Sequence, residues 1–475
     1  MFSNLEEVKS FCKQEGIEII DFKIIDLAGR WHHLAMPVER FSEKTLTEGI
    51  GFDGSSYGFL TVEKSDMIFI PDITTAFVDP FCEVPTISMI SDIYQLGDTT
   101  SRFEGDPRYI AQKAEKYLIE TNIADENIIG PEFEFYLFDH ISYLNKPQEQ
   151  FVNIDSEQAY WNTGNSEYNQ GYKVPYQNGY HVDLPMDLTN DLRSIITRKL
   201  EDLNVKIKYH HHEVGGTGQV EIETEHGKMR EMADNTMILK YVVKNTAIQN
   251  GKTATFMPKP LYGEAGNGMH VHMQLFKNGE PIFYDKNGCS GLSKEALYFI
   301  GGILKHAPAL SGFTNPSTNS YKRLVPGFEA PVSICFAVSN RSAVIRIPGY
   351  ANTPETKRFE YRPSDATCNP YLAYSALLLA GLDGIVSKID PQSEGYGPYN
   401  VNIFNLPIEE RNKIKSLPTS LSEAADELEK DFEFLLRGGV FTKGVIEDQI
   451  RSIRNQSKLL DSIPHPKEFE MYYDL

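Results

Sequence analysis

Charged and aromatic residues alternate in the segment "GPEFEFYLFD", residues 130–139. Because successive side chains of a strand point to opposite faces, Glu132 and Glu134 share one face with Tyr136 and Phe138. An edge strand with one face in water gives such a pattern. The alternative is that a positive group, such as a divalent metal ion, keeps both carboxylates ionised, because repulsion and burial would otherwise raise at least one pKa. This strand alone leaves both interpretations open.

Strand and helix signals elsewhere predict two domains that meet near residue 103. After a first helix, "IEIIDFKIIDLAGRWHHLAMP" has the pattern of two strands joined by a turn at Ala28–Gly29. Short strand-like pieces continue to Leu96, and the polar "GDTTSRFEGDPR" then precedes a clear helix, "RYIAQKAEKYLIE". Beyond it, strands rich in glutamate and arginine alternate with helices. We therefore predict an α+β fold with domains at residues 1–103 and 104–475.

Two further segments predict structural helices without chemistry. "SLSEAADELEKDFEFLLRGG" has Ser420 as N-cap with Glu423 three residues on, a capping box, and Gly438–Gly439 at its end. Its apolar stripe consists of Leu421, Leu428, Phe432 and Leu435. The apolar run "YLAYSALLLAGL" is too short to span a bilayer, and it predicts a buried helix.

Composition narrows the classes of protein that the chain can belong to. With 475 residues and 41% hydrophobic content, the chain can bury a sizeable core. Its net charge of −20 argues against nucleic acid or an anionic membrane as main partner. Any anionic substrate must therefore meet local arginine, lysine or metal. The five cysteines lack CxxC spacing and the start has no signal-peptide pattern, so we predict a cytoplasmic protein with reduced thiols.

Three more segments bring together residues that suit metal or anion binding. They are "HHHEVGGTGQVEIE", with a Gly-rich bend between two glutamates, "GNGMHVHMQLF", with two histidines on one face, and "KRFEYRPSD", with alternating charges. Their polar residues of interest are Glu213, Glu221, His270, His272, Arg358, Glu360 and Arg362. Each segment alone also fits ordinary structure: a polar strand end, a hydrogen-bonded histidine pair, or an exposed salt-bridged strand.

Taken together, these clusters favour a metal-dependent phosphoryl transfer. Glutamates with one or two histidines suit Mg²⁺ or Mn²⁺, whereas tetrahedral zinc would more often bring cysteine. Guanidinium groups that could bind carboxylate or phosphate are supplied by Arg323, Arg341, Arg346, Arg358 and Arg362. The sequence contains neither a P-loop nor a kinase-type Gly-rich loop, so the phosphates of a nucleotide would lie on metal and arginine.

Several motifs in register resemble those of glutamine synthetase, type I, in its longer bacterial form, over nearly the whole chain. Besides the segments above, they are "FDGSS", "MPKPLYGEAGNGMHVHMQLF", "RLVPGFEAPV", "NRSAVIRIP" and "NPYLAYSALLLAGLDGI". The resemblance implies a small N-terminal β-grasp domain and a catalytic domain with a curved antiparallel sheet. It also implies a dodecamer of two stacked six-subunit rings, with each active site built between neighbouring subunits.

The reaction implied by the resemblance is that ATP and glutamate give γ-glutamyl phosphate, which ammonia attacks to yield glutamine. At least two divalent ions, Mg²⁺ or Mn²⁺, are implied in each site. The residues implied to hold the first ion are Glu134, Glu213 and Glu221. Those implied to hold the second ion, nearer the ATP phosphates, are Glu132, His270 and Glu360.

The resemblance also implies roles for residues that contact the substrates. The implied glutamate contacts are Arg323, Arg362 and Gly266, and the implied contacts to ATP or the transferring phosphoryl group are Arg341, Arg358, Arg346 and His272. Asp53 of a neighbouring subunit would deprotonate ammonium, and the implied anionic pocket around it consists of Tyr180, Ser56, Glu213 and Glu329. Glu329 lies in "VPGFEAP", which suits a loop that closes over the intermediate.

Three positions depart from the family pattern. Ala265 stands where the family usually has asparagine, Gln274 where it commonly has serine, and Phe404 where the longer form has a tyrosine that accepts AMP. Phe404 has no hydroxyl, so we predict no adenylylation there. Ala265 leaves open a γ-glutamyl ligase for amines or polyamines. A catalytically inactive, ring-forming relative is a third hypothesis, disfavoured because all six implied metal ligands are present.

Overall fold

The computed structural model describes residues 2–97, 99–162, 171–326, 330–399, 401, 403, 406–411 and 413–473. Glu329 and Phe404, which have predicted roles, lie outside these residues.

The described part of the chain forms the following helices and strands. The helices are α1 (Leu5–Glu15), α2 (Glu43–Thr47), α3 (Pro107–Glu120), α4 (Asn190–Asp202), α5 (Met229–Gln249), α6 (Lys294–Thr314), α7 (Ser320–Arg323), α8 (Pro370–Ser387), α9 (Ile408–Arg411), α10 (Leu421–Lys430), α11 (Lys443–Asp461) and α12 (Pro466–Tyr472). The strands are β1 (Ile19–Ile25), β2 (Trp31–Pro37), β3 (Ile50–Asp53), β4 (Asp66–Pro71), β5 (Phe77–Val78), β6 (Thr86–Gln95), β7 (Ser101–Arg102), β8 (Glu126–Phe138), β9 (His140–Lys146), β10 (Glu149–Asp155), β11 (Ile207–His212), β12 (Gln219–Thr224), β13 (Gly227–Lys228), β14 (Thr253–Thr255), β15 (Met269–Lys277), β16 (Glu280–Pro281), β17 (Ser333–Val338), β18 (Ala343–Ile347) and β19 (Phe359–Tyr361).

The N-terminal strands form a sheet in the order β2-β1-β6-β4-β3, with β5 and β7 also paired to β6. Strand β1 is antiparallel to β2 and parallel to β6, and the turn between β1 and β2 lies where the sequence predicts it. Phe22 and Ile24 alternate along β1 and are fully buried, together with Val8 of α1 and Phe69 of β4. One apolar face of the sheet thus supplies the core of this part of the chain.

The second sheet runs in the order β11-β12-β8-β15-β19-β18-β17. Its neighbouring strands are antiparallel except for β17 and β18, which run parallel. Strand β8 lies near the middle and also pairs with β13 and β14. The strand that carries Glu132 and Glu134 is therefore central, and the edge-strand interpretation is wrong.

Helix α8 is the most apolar helix packed against this sheet. Pro370 occupies its first turn and the Asn369 side chain accepts the Tyr371 N–H, which caps the helix start. By length and composition the helix could cross a membrane, but 83% of it is buried inside the protein. It packs closely on α6, because a Cβ added at Gly302 would lie 2.1 Å from the Ala380 carbonyl oxygen. The predicted buried helix is confirmed.

Arg108, on α3, links the N-terminal sheet to the catalytic part of the chain. Its guanidinium donates to Asp92 Oδ1 at 2.7 Å and Asp72 Oδ2 at 2.8 Å, both in the N-terminal sheet region. It also donates to both carboxylate oxygens of Asp234, on α5, at 3.1 Å. Arg108 is 1% exposed, whereas its carboxylate partners keep a small exposed fraction, so the guanidinium is buried and the network reaches the surface only at its acidic ends. Such a network is costly to break, since it would leave buried charges without partners.

The helix predicted up to Gly438–Gly439 ends earlier, at Lys430. Its start is as predicted, because Ser420 Oγ accepts the Glu423 N–H at 3.1 Å. The return bond of the capping box differs, since Glu423 Oε2 accepts the N–H of Thr419. Asp431, directly after the helix, accepts a 2.7 Å hydrogen bond from His306 Nδ1. Asp431 has φ −135° and ψ 73°, outside the helical region, so the helix does not continue through it.

Candidate active site

The register of β12, β8, β15 and β19 brings the predicted acidic and histidine residues side by side. Glu134 of β8 lies opposite Glu221 of β12, and Glu132 lies opposite His270 of β15. On the other side of β15, His272 is paired with Glu360 of β19. Clusters far apart in sequence therefore meet because their strands are neighbours.

These side chains line a cavity of about 490 Å³. Its walls include, from the predicted site, Glu132, Glu134, Tyr180, Glu213, Glu221, Gly266, His270, Arg323, Arg341, Arg346, Glu360 and Arg362. Carboxylates and guanidinium groups thus share one concave surface, the arrangement expected for an anionic substrate held with metal ions.

Glu132, His270 and Glu360 form one group of possible metal ligands, with one atom of each lying within 4.8 Å of the others. His270 Nδ1 is 2.9 Å from Glu132 Oε2 and 3.7 Å from Glu360 Oε1. Glu360 is fully buried and accepts hydrogen bonds from Arg346 and Arg362. Burial alone would raise the pKa of Glu360, but the neighbouring Arg362 outweighs it and the pKa falls to about 2. Glu360 is therefore ionised.

A second group contains Glu213 and Glu221 with His211, again with one atom of each within 4.8 Å of the others. His211 Nδ1 lies 3.0 Å from the His212 carbonyl oxygen, to which it can only donate, so in the neutral ring Nε2 carries the lone pair. That Nε2 is 3.9 Å from Glu221 Oε2. Glu134, predicted for the same ion, accepts the Gly268 N–H at 2.5 Å through Oε2.

Sequence reasoning missed His211, whose place in a histidine run was consistent with a polar strand end. The available signal was its alternation with Glu213, which puts both on one face if β11 continues. Burial, followed by the Glu134 charge, raises the pKa of Glu213 to about 7. Burial and the carboxylates Glu132 and Glu134 raise the pKa of Glu221 well above its ordinary value. If all these carboxylates were ionised, this part of the cluster would carry more negative charge than its protein neighbours neutralise.

The donor chemistry of both groups fits hard divalent cations. Carboxylate oxygens predominate, each group includes a histidine, and no cysteine takes part among the described residues. Mg²⁺ and Mn²⁺ prefer such ligands. Apart from Glu213, which directly follows β11, the members of both groups lie on strands of one sheet, which suits a site that is held in place before an ion binds.

The predicted arginines differ in how they are held. Arg323 is buried and donates to the carbonyl oxygens of Pro363 at 2.6 Å and Arg362 at 3.1 Å. Arg341 is exposed at the cavity wall. Arg358 is not among the described residues that line the cavity, and its Nε donates to His272 Nδ1 at 3.3 Å. Only some of the predicted guanidinium groups therefore reach the cavity directly in one chain.

The loop before β15 is held by hydrogen bonds that present its backbone to the cavity. Tyr136 Oη donates to the Ala265 carbonyl at 2.7 Å, and Gln219 Nε2 donates to the Gly266 carbonyl at 3.0 Å. A Cβ at Gly266 would lie 2.5 Å from the Pro258 carbonyl oxygen, so a larger residue would displace the loop. Gln274 is buried and donates to the Pro354 carbonyl at 3.0 Å.

Asp53 and Ser56 lie at the exposed edge of the N-terminal sheet and are not among the described residues that line the cavity. Asp53 accepts hydrogen bonds from Ser55 and Ser56, and the Ser55 hydroxyl, followed by the Ser56 hydroxyl, lowers its pKa to about 2. The carboxylate is therefore ionised and accessible. One chain does not bring these two residues into its own cavity.

Comparisons with known proteins agree with this architecture. Residues 16–96 match the family model "Glutamine synthetase, beta-Grasp domain", and residues 104–472 match "Glutamine synthetase, catalytic domain". Glutamine synthetase of Streptomyces coelicolor is 47% identical over 100% of both chains, and that of Aquifex aeolicus is 46% identical over 99% of both. A cryo-EM structure of Plasmodium falciparum glutamine synthetase aligns with a TM-score of 0.89 and 32% identity, covering 99% of each chain.

With these similarities, the fold and the acidic, arginine-lined cavity define a ligase that uses ATP and divalent metal ions. The chain belongs to the glutamine synthetase family, and it catalyses the ATP-dependent synthesis of glutamine from glutamate and ammonia. The predicted β-grasp and α+β architecture is confirmed.

Proposed function

We propose that this chain makes glutamine through γ-glutamyl phosphate, with two divalent ions held in the cavity described above. The observation that carries the proposal is the juxtaposition of six ligand side chains, five on neighbouring strands and Glu213 directly after β11, with arginines of the same cavity. The six are Glu132, Glu134, Glu213, Glu221, His270 and Glu360. No nucleic acid or membrane is needed as a partner.

The first ion would be held by Glu134, Glu213 and Glu221, and the second by Glu132, His270 and Glu360. When bound, divalent ions neutralise phosphate charge and polarise the phosphoryl oxygens. The excess negative charge around Glu213 and Glu221 supports the first assignment. The close approach of His270 to Glu132 and Glu360 supports the second.

The chain's own residues would bind and orient the reactants. Arg323 and Arg362, with the Gly266 backbone, would hold the glutamate carboxylates, and Arg346, Arg341 and His272 would serve ATP. A carboxylate is a poor electrophile, so its oxygen first attacks the γ-phosphorus of ATP and ADP leaves. Arg341 and Arg358 would balance the charge that spreads over the transferring group.

Ammonia would then attack the carbonyl carbon of γ-glutamyl phosphate. The C–O bond to phosphate breaks, phosphate leaves with the electron pair, and the nitrogen loses a proton. Asp53 of a neighbouring subunit would take the first proton from ammonium, with Ser56 and Tyr180 completing the pocket. Asp53 is exposed and is not among the described residues that line its own chain's cavity, which supports a ring in which each site uses two subunits.

A dodecamer of two six-subunit rings and a cytoplasmic location are parts of the same proposal. Glu329 lies outside the described residues, and its role in the anionic pocket stays a prediction from the resemblance. Both Mg²⁺ and Mn²⁺ accept these donors.

The test is phosphate release from ATP with Mg²⁺ and glutamate, comparing ammonium with a panel of amines at matched concentration. We expect ammonium to give the highest rate. A higher rate with an amine would favour the γ-glutamyl ligase, for which the small Ala265 side chain at the cavity wall is the favourable observation. Absence of phosphate release with every acceptor would instead identify an inactive ring-forming relative.

A further inference from the structure

A continuous line of hydrogen bonds runs from Arg358 through His272 to Glu132 and His270. Arg358 Nε donates to His272 Nδ1 at 3.3 Å. His272 Nε2 is 2.7 Å from Glu132 Oε1, and His270 Nδ1 is 2.9 Å from Glu132 Oε2. The two oxygens of the Glu132 carboxylate therefore have different partners, His272 and His270. His272 itself is buried, with 1% of its surface exposed.

The direction of the first bond determines where the His272 proton lies. Arginine has only donors, so His272 Nδ1 must accept and cannot carry hydrogen. The neutral ring then holds its proton on Nε2, which donates to Glu132 Oε1. Glu132 Oε2 is left facing His270 and Glu360, the other members of the second-ion group.

One atom each of Glu132, Glu223 and His272 also lies within 4.8 Å of the others, a grouping that a third metal ion could occupy. Two contacts argue against it. Lys208 Nζ already pairs with Glu223 Oε1 at 2.6 Å, and both nitrogens of His272 are engaged by Arg358 and Glu132. His272 lacks a free lone pair for an ion.

We propose that His272 is a positioning residue for the second ion, and the inference rests on the ligand set given under Proposed function. By donating to Glu132 Oε1, it fixes the carboxylate so that Oε2 faces His270 and Glu360. Arg358 sets the tautomer that makes this donation possible. Partners of metal ligands that act in this way commonly change metal affinity by about 10–100-fold when removed.

The substitutions that separate this role from packing are His272→Asn and His272→Gln. The Asn amide reaches the place of Nδ1 and has no donor near Glu132, whereas the Gln amide reaches the place of Nε2. Mn²⁺ binding to the assembled protein, without ATP or glutamate, is followed by electron paramagnetic resonance. We expect His272→Asn to weaken one class of Mn²⁺ site about tenfold or more and His272→Gln to retain most of the affinity.

Two controls make the outcome decisive. His226 stacks on His272 with ring centroids 5.7 Å apart, and its Nε2 has no hydrogen-bond partner among the described residues, so His226→Ala tests packing. An equal loss in His226→Ala, or native Mn²⁺ binding in His272→Asn, would overturn the positioning role. Glu360→Gln tests the ion site itself, and unchanged Mn²⁺ binding there would refute the ligand set of the proposed function instead. Should His272→Asn fail to assemble, His272→Met against His272→Gln makes the same comparison at conserved volume.

Discussion

Glu134 and Glu221 lie directly opposite each other on antiparallel strands, both facing the cavity. Like charges at opposed strand positions are destabilising, commonly by up to about 1 kcal/mol. Burial adds to the cost, since with the neighbouring carboxylates it raises the pKa of Glu221 well above its ordinary value. The register thus keeps an unfavourable interaction that a bound cation would relieve.

We therefore expect Glu221→Gln to abolish synthesis and yet stabilise the metal-free fold by about 1 kcal/mol. Calorimetry in the presence of a chelator measures the change in Tm. Glu223→Gln is the matched control, because Glu223 is on the same strand face but is already paired with Lys208 at 2.6 Å. A lower Tm for Glu221→Gln than for the native chain, both without metal, would contradict the expectation.

His306 lies between two carboxylates, 2.7 Å from Asp431 and 3.1 Å from Asp383. Burial lowers the pKa of His306, but the bonds to Asp383 and Asp431 outweigh it, so the pKa is raised above the ordinary 6.5. A raised histidine pKa gives stability that is full below the unfolded value and is lost as pH rises through the folded value. We expect His306→Gln to lower Tm more at pH 6 than at pH 9, and an equal loss at both would refute charge as the cause.

Glu360 holds Arg346 and Arg362 as well as facing the proposed second ion. Glu360→Ala would leave two guanidinium groups without their buried partner, and loss of one partner in such pairs costs about 3–5 kcal/mol. Glu360→Gln keeps acceptor and volume. We expect both variants to lose synthesis and only Glu360→Ala to lose several degrees of Tm. Near-native turnover of Glu360→Gln at saturating Mg²⁺ would show that the ligand assignment is wrong.

A ring with shared sites predicts complementation between defective chains. Asp53→Asn and Glu360→Gln damage different halves of each proposed site, so some interfaces in mixed rings would combine two intact halves. We expect partial recovery of synthesis after the two chains are dissociated and reassembled together. Mass spectrometry verifies mixing, and absence of recovery in mixed oligomers would place the complete site within one chain.

Adenylylation requires a hydroxyl nucleophile at position 404, and Phe404 has none. We expect no AMP on residues 396–407 after incubation with an adenylyltransferase and labelled ATP, as mapped by mass spectrometry. Phe404→Tyr is the matched gain-of-function variant. A modified residue in the native segment would disprove the expectation.

Local pattern predicted the strands that carry the site, because alternation of charge and apolar residues is a property of a single strand. It placed Glu132 and Glu134 on one face, and the resemblance supplied the family and its fold. The alternation of charged and apolar residues could not show that β8 is a central strand, because strand order depends on contacts between segments distant in sequence. The end of α10 at Lys430 was also beyond local pattern. Asp431, the next residue, is hydrogen-bonded to His306, which lies 125 residues away in sequence.

The hydrogen-bond partners within the site were equally beyond local pattern. His272, which the resemblance implies at the nucleotide, also contacts Arg358 and Glu132 through its two ring nitrogens, and no local pattern indicates these contacts. Local pattern did not single out His211, which pairs with Glu221 across neighbouring strands and forms a possible metal-ligand group with Glu213 and Glu221. Which atom of a histidine faces which neighbour depends on strand register, and that register is fixed by the packing of the whole sheet.

If sites are shared between subunits as proposed, the Arg108 network would make each chain a rigid spacer between two different active sites. It links the sheet that bears Asp53 to helix α5, which packs against β8, the strand of Glu132 and Glu134. In a shared-site ring, loosening this fastening would shift the base presented to the next subunit while the chain's own metal ligands stay in place. A substitution at Arg108 would therefore weaken the use of ammonium in the active site of the neighbouring subunit, even where that subunit has the native sequence.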